Sequence, residues 1–166
     1  MQLCPLPDDT RSRLVAVYES GALLLWEPGA AGPAARLQLT SDTPMCVDVA
    51  ADGRGLVGTS GSRVPTFTVT ADGLAAGPSF ELTNPGAASV RVRRDGRVAA
   101  LGCWDHRLRV ISWRKLRLLA ALEHHGKTVE CVEFAPAPVR LWKANSLLAS
   151  GGADGTVALW KIYDDA

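Results

Sequence analysis

Residues 147–160 read Leu147-Leu148-Ala149-Ser150-Gly151-Gly152-Ala153-Asp154-Gly155-Thr156-Val157-Ala158-Leu159-Trp160, and this stretch decides the fold. Two short apolar runs flank an Asp-Gly pair. The runs are rich in alternating apolar residues, which is strand grammar, and Asp-Gly between them is a strong hairpin signal.

The same pattern recurs upstream. Met45-Cys46-Val47-Asp48-Val49 leads to Asp52-Gly53, then Leu56-Val57-Gly58-Thr59, then Val64 to Val69. Ser89-Val90-Arg91-Val92 leads to Asp95-Gly96, then Val98 to Gly102, then Leu108 to Trp113. Leu14-Val15-Ala16-Val17 precedes Glu19-Ser20-Gly21 and Leu23-Leu24-Leu25-Trp26. Val129 to Phe134 stands before the final hairpin. Aligned on the end of the third strand, Trp26, Phe67, Ile111 and Trp160 are separated by 41, 44 and 49 residues. A period near 40–45 with four strands per unit is the signature of a propeller blade. The long last interval has a local cause in Pro136 to Asn145, which lengthens one hairpin on the surface. One segment argues against this reading: Arg114 to Glu123 is made of good helix formers. It lacks an N-cap in the right place, and its position matches a fourth, outer strand, so the repeat register predicts a strand there.

With His125-Gly126-Lys127-Thr128-Val129 upstream, the last repeat resembles a WD40 repeat. The resemblance implies an all-β WD40 propeller in which His, Ser/Thr, Asp and Trp form a hydrogen-bonded chain within a blade. Those roles fall on His125, Ser150, Asp154 and Trp160. The chemistry is coherent: a carboxylate in a tight turn needs donors, an imidazole supplies one, and a hydroxyl links the imidazole to the indole N–H. The other repeats depart from the pattern. The third keeps Asp105 but has Ile111 at the Trp position, with Trp113 two residues on. The second has Gly61-Ser62 in the turn and Phe67 at the Trp position; the first keeps Trp26 and has Ser20 where Asp is usual. After the aromatic stand Glu27, Thr68, Ser112 and Lys161. Only the last blade is therefore expected to carry the full network.

Within the WD40 proteins the chain resembles the ASTRA-associated protein 1 family and its animal G-protein beta-like counterparts. The residues that carry this are Glu81 to Gly86, Trp104-Asp105-His106-Arg107-Leu108-Arg109-Val110, Trp113-Arg114, and Leu159-Trp160-Lys161-Ile162-Tyr163. Tyr18 to Gly21 and Leu25-Trp26 fit as well. The family implies about seven blades. The chain supplies about three and a half to four, with 1–39 as an incomplete blade, 40–82 and 83–123 as full blades, and 124–166 as a last blade lacking its closing strand. A fragment or shortened gene model of a larger propeller is the expectation. The resemblance implies a non-catalytic interaction scaffold, linked to the co-chaperone machinery that matures phosphatidylinositol-3-kinase-related kinases. A second reading is a WD40 substrate receptor or peptide or histone-tail reader in an unrelated pathway.

Composition narrows the remaining classes. The 166 residues carry a net charge of +1, from 18 Lys and Arg against 17 Asp and Glu, so nothing favours nucleic acid. Arg91, Arg93, Arg94 and Arg97 are basic, but alternation makes them a solvated edge. Met1 to Asp9 has neither a basic start nor an apolar run, and no stretch approaches the ~18 apolar residues of a membrane helix. Cys4, Cys46, Cys103 and Cys131 form no CxxC pair and read as reduced thiols of a cytoplasmic or nuclear protein. With His106, His124 and His125 they lack zinc-site spacing, so no metal or other cofactor is expected. Ser150, His125 and Asp154 hold the letters of a hydrolase triad, but their spacing fits a structural network, and no catalytic residue or small-molecule substrate is assigned. The strongest partner-surface candidate is Trp104 with His106 and Arg107. They stand in the turn between second and third strands, on the face that WD40 proteins use for partners. Trp142, between Arg140 and Lys143, is a weaker candidate of the same kind.

Overall fold

The structure is a computed structural model that describes residues 1–7, 12–140, 144 and 146–162. Among the described residues, fifteen strands form four antiparallel up-and-down sheets. The first holds β1 (Gln2–Pro5), β2 (Leu14–Val17), β3 (Ala22–Trp26) and β4 (Ala35–Gln38). The second holds β5 (Pro44–Val49), β6 (Arg54–Thr59), β7 (Arg63–Thr70) and β8 (Gly73–Glu81). The third holds β9 (Ala87–Val92), β10 (Val98–Cys103), β11 (Arg107–Ser112) and β12 (Arg117–Glu123). The last holds β13 (Val129–Phe134), β14 (Leu147–Gly152) and β15 (Val157–Lys161). Each sheet is one blade of a β-propeller, and the inner strands β1, β5, β9 and β13 lie side by side in succession.

Two expectations change here. The blade over residues 1–39 is not short of a strand: Gln2 to Pro5 pairs with Val17 to Leu14 and completes four. The basic stretch is a solvated edge only at Arg94 and Arg97, which are exposed. Arg93 is buried at 8% exposure, grips Asp95 at 2.7 and 3.0 Å, and donates to the Ile162 carbonyl at 3.3 Å, joining third and last blades. The helix formers after Arg114 do become the outer strand β12, because register with β11 buries Leu119, Ala120 and Leu122 against the core.

The apolar residues make three cores, each between two blades. Val15, Val17, Leu23 and Leu25 meet Val47, Val49, Val57 and Phe67 between first and second blades. Leu56, Val64 and Phe80 meet Leu101, Ile111 and Trp113 between second and third. Val98, Leu108 and Val110 meet Val132, Phe134 and Leu148 between third and last. A blade is therefore apolar on both faces, unlike a sheet with one wet side. Trp113 sits in the middle core, 1% exposed, with the Arg54 guanidinium 4.7 Å from its ring centroid. Among the described residues its Nε1 is the one buried side-chain polar atom without a hydrogen-bond partner.

Three hairpins share one device, two between first and second strands and one between second and third. Asp52, Asp95 and Asp154, the last in the β14–β15 turn, each accept the backbone N–H two residues on, at 3.1, 3.0 and 3.0 Å. The glycines that follow have φ of +79°, +63° and +80°, which side-chain-bearing residues rarely adopt.

Candidate functional site

The β14–β15 turn, the β10–β11 turn and the loop before β13 project from the same end of the blades. In the last blade the network is built as a relay. Trp160 Nε1–H donates to Ser150 Oγ at 2.8 Å, and Ser150 Oγ lies 2.8 Å from His125 Nε2. His125 Nδ1 lies 2.9 Å from Thr156 Oγ1, whose hydroxyl donates to Asp154 Oδ1 at 2.7 Å. Proton counting fixes the direction. If Thr156 donates to Asp154, it accepts from His125 Nδ1–H. His125 Nε2 then accepts from Ser150, and Ser150 accepts from the indole. The inner members Ser150, His125 and Thr156 each give and receive, between an indole that only donates and a carboxylate that only accepts, so the chain is cooperative.

His125, Ser150, Asp154 and Trp160 thus come together as their resemblance implied, and Thr156 is the link that sequence reasoning missed. Hydrogen bonds from the Thr156 hydroxyl, the Thr156 N–H and the Gly126 N–H hold the Asp154 carboxyl well below the ordinary carboxylate range. Ser150 is 1% exposed and its oxygen is enclosed by the indole and imidazole. Among the described residues no three His, Cys, Asp or Glu side chains converge to hold a metal. The four cysteines are unpaired, and burial pushes Cys4, Cys46 and Cys103 up to about 11, 12 and 11, away from thiolate chemistry.

Asp105 does not join a His-Ser-Trp chain. Its partner is Arg109 on β11, which donates through Nη1 and Nη2 at 2.7 and 2.6 Å, with Asn84 adding a third bond at 2.9 Å. The Arg109 guanidinium holds the Asp105 carboxyl at about 2. With Ile111 at the aromatic position, an ion pair takes the place of the relay.

That lock presents the candidate surface. Trp104 is 39% exposed, and its ring lies on Gly86 so closely that a Cβ there would overlap it. Gly86 has φ +97° and accepts the Trp104 N–H at 3.0 Å. His106 is exposed at φ +68°. Arg107 reaches Glu123 at 2.8 Å and stands 3.9 Å from Asp105. The three candidate residues therefore share one turn, backed by Asp105, and form a preformed aromatic and basic platform. Trp142 lies outside the described residues.

A second polar system, absent from the sequence reading, runs along the inner strands. Asp48, Arg91 and Glu133 occupy equivalent places on β5, β9 and β13, each downstream of a register shift at the strand's start. Asp48 accepts the Val92 N–H at 2.7 Å, Ser89 accepts the Val132 N–H at 3.2 Å, and Arg91 donates to Glu133 at 2.8 Å. Inner edges that no fifth strand pairs are thus capped by the preceding blade. Burial pushes the Asp48 carboxyl up, against the Val92 N–H and the Arg91 charge that pull it down.

Comparison with known proteins agrees with this architecture. Residues 116–161 match the family described as WD domain, G-beta repeat. The chain is 32% identical over 155 residues to mouse guanine nucleotide-binding protein subunit beta-like protein 1, covering 92% of this chain and 45% of that protein. It is 31% identical to ASTRA-associated protein 1 of Schizosaccharomyces pombe over 102 residues, 60% of this chain and 26% of the relative. Against ASTRA-associated protein 1 of Verticillium alfalfae it is 26% identical, over 98% of this chain and 50% of the relative. The chain spans half the length, or less, of these curated relatives.

Proposed function

This chain is a WD40-repeat β-propeller protein, and from that premise we propose that it is a non-catalytic scaffold of a co-chaperone assembly. Its client class is the phosphatidylinositol-3-kinase-related kinases, and its place of work is the cytoplasm, the nucleus or both. The observation that carries the scaffold reading is the state of the polar groups at the blade ends. The Ser-His-Asp letters are consumed in a relay that leaves Ser150 enclosed, while Trp104 in the third blade is held open to solvent. A buried, fully bonded hydroxyl offers no nucleophile to a substrate. A rigid, part-exposed Trp flanked by a cation has the composition of an interface anchor. The assembly itself is supported by the relatives named ASTRA-associated protein 1.

The test is affinity capture with the chain and with Trp104→Ala. Co-purification of a kinase-maturation co-chaperone with the first, and its loss with the second, supports the proposal. Recovery of none of that machinery by the parent chain overturns the assembly assignment and leaves the fold untouched.

A further inference from the structure

Charge pairing is uneven over the molecule. Arg54, Arg63, Arg91, Arg93, Arg107 and Arg109 each hold a carboxylate. Arg94, Arg114, Lys115 and Arg117 are exposed and pair with none among the described residues. These four stand at one end of the third blade. Arg94 lies in the β9–β10 turn, Arg114 and Lys115 lie in the β11–β12 turn, and Arg117 opens β12. The two turns are neighbours: the Trp113 N–H donates to the Arg97 carbonyl at 2.9 Å, next to the paired Val98 and Ser112. Their one carboxylate, Asp95, is held by Arg93 at 2.7 Å and faces Arg97 at 3.9 Å. The β11–β12 turn is also fixed in shape. Leu116 sits at φ +46°, packs on the middle core and donates its N–H to the Ser112 carbonyl at 2.8 Å. A leucine in that conformation is strained, and the core contact offsets the strain. The cations are thus presented on a rigid support.

We propose that this end of the third blade is a docking surface for a short acidic segment of a partner protein, a run of Asp and Glu residues. Unpaired cations confined to one place raise the local potential, and guanidinium groups meet carboxylates through two parallel hydrogen bonds. The third blade packs on the second through one face and on the last through the other. The surface is therefore the end of a flanked blade, not an open face. Its extent decides among polyanions. Asp52 and Asp72 stand in turns of the second blade at the same end and bound the positive area there. The whole chain carries a net charge of only +1, and neither turn exposes an aromatic ring on which a base could stack. A long nucleic acid meets repulsion beyond this blade, whereas a short acidic segment does not. Trp104 stands in the opposite turn of the same blade, so the blade offers a contact at each end.

The test is fluorescence anisotropy of a labelled oligoglutamate peptide titrated with the 166-residue chain. Binding is expected at low salt and should weaken as salt screens the charges. Arg114→Glu with Lys115→Glu should weaken it by about tenfold or more. Arg36→Glu with Lys127→Glu makes the same change in net charge at exposed positions away from the patch, and should alter binding by roughly twofold or less. Circular dichroism checks that each variant is folded. Should the first fold poorly, Arg94→Ser with Arg117→Ser takes its place, with a loss of about threefold or more expected. A parent chain that leaves the peptide free overturns the proposal. So do equal losses in the two reversal variants, or a single-stranded oligonucleotide of the same charge that binds as tightly as the peptide.

Discussion

Arg109 and Asp105, four residues apart, face each other across the β10–β11 turn with two parallel hydrogen bonds of 2.7 and 2.6 Å. Their side chains are 4% and 14% exposed, so this is a pair withdrawn from water. Removing one partner of such a pair leaves the other charge stranded. Arg109→Met should therefore destabilise the chain by about 3 kcal/mol, read as a fall in the urea midpoint. Arg109→Lys should recover only part of that loss, since an ammonium cannot make the bidentate bond.

The two half-buried carboxylates Asp105 and Asp48 should push the acid limb of stability in opposite directions. Asp105 is lowered from 3.8 to about 2, so its contribution is present above the unfolded value and is lost as pH falls toward 2. Its full size is about 2 kcal/mol at 1.36 kcal/mol per unit. Asp48 is raised, so its contribution is present at low pH and is lost as pH rises through the folded value. Urea titrations from neutral pH down to pH ~2 should show a shallower acid loss for Asp105→Asn than for the parent. Asp48→Asn, which keeps an acceptor for the Val92 N–H, should cost nothing at neutral pH. A marked loss there would mean that the Asp48 charge is needed between Cys4 and Arg91.

Ser150 is the member of the last-blade relay with two buried dependants. Ser150→Ala leaves the Trp160 N–H and His125 Nε2 without their partner. The expected cost is about 2–3 kcal/mol in denaturant unfolding. Thr156→Val, at the exposed end where water can replace the hydroxyl, should cost less. Equal losses would show that the relay acts as one unit rather than by the burial of each group.

The strands and the period were legible because alternation and Asp-Gly turns are local signals. The helix formers of β12 were overridden because register, not propensity, decides what a half-buried outer strand packs against. β1 was not legible: Gln2-Leu3-Cys4-Pro5 is short, ends in proline and gains its place only by pairing with β2. In the site, Arg109 drew no reading of its own, because only the folded turn brings it back onto Asp105. Thr156 was hidden by the four-residue pattern that supplied the other roles. Asp48, Arg91 and Glu133 are spaced by 43 and 42 residues, a signal that acquires meaning only once the bulges fix their common position.

The platform around Trp104 separates binding from folding. Trp104→Ala removes a ring that rests on Gly86 from outside the three cores, so stability should change by about 1 kcal/mol or less while partner capture is lost. Gly86→Ala keeps the ring but denies it its seat, because the added Cβ overlaps the indole and φ +97° is unfavourable for alanine. Capture should weaken there too, with a red shift in Trp emission as the ring swings into water. If Gly86→Ala shifts the emission yet binds as the parent does, the partner does not read Trp104 in this position. The anchor would then lie elsewhere on the blade ends.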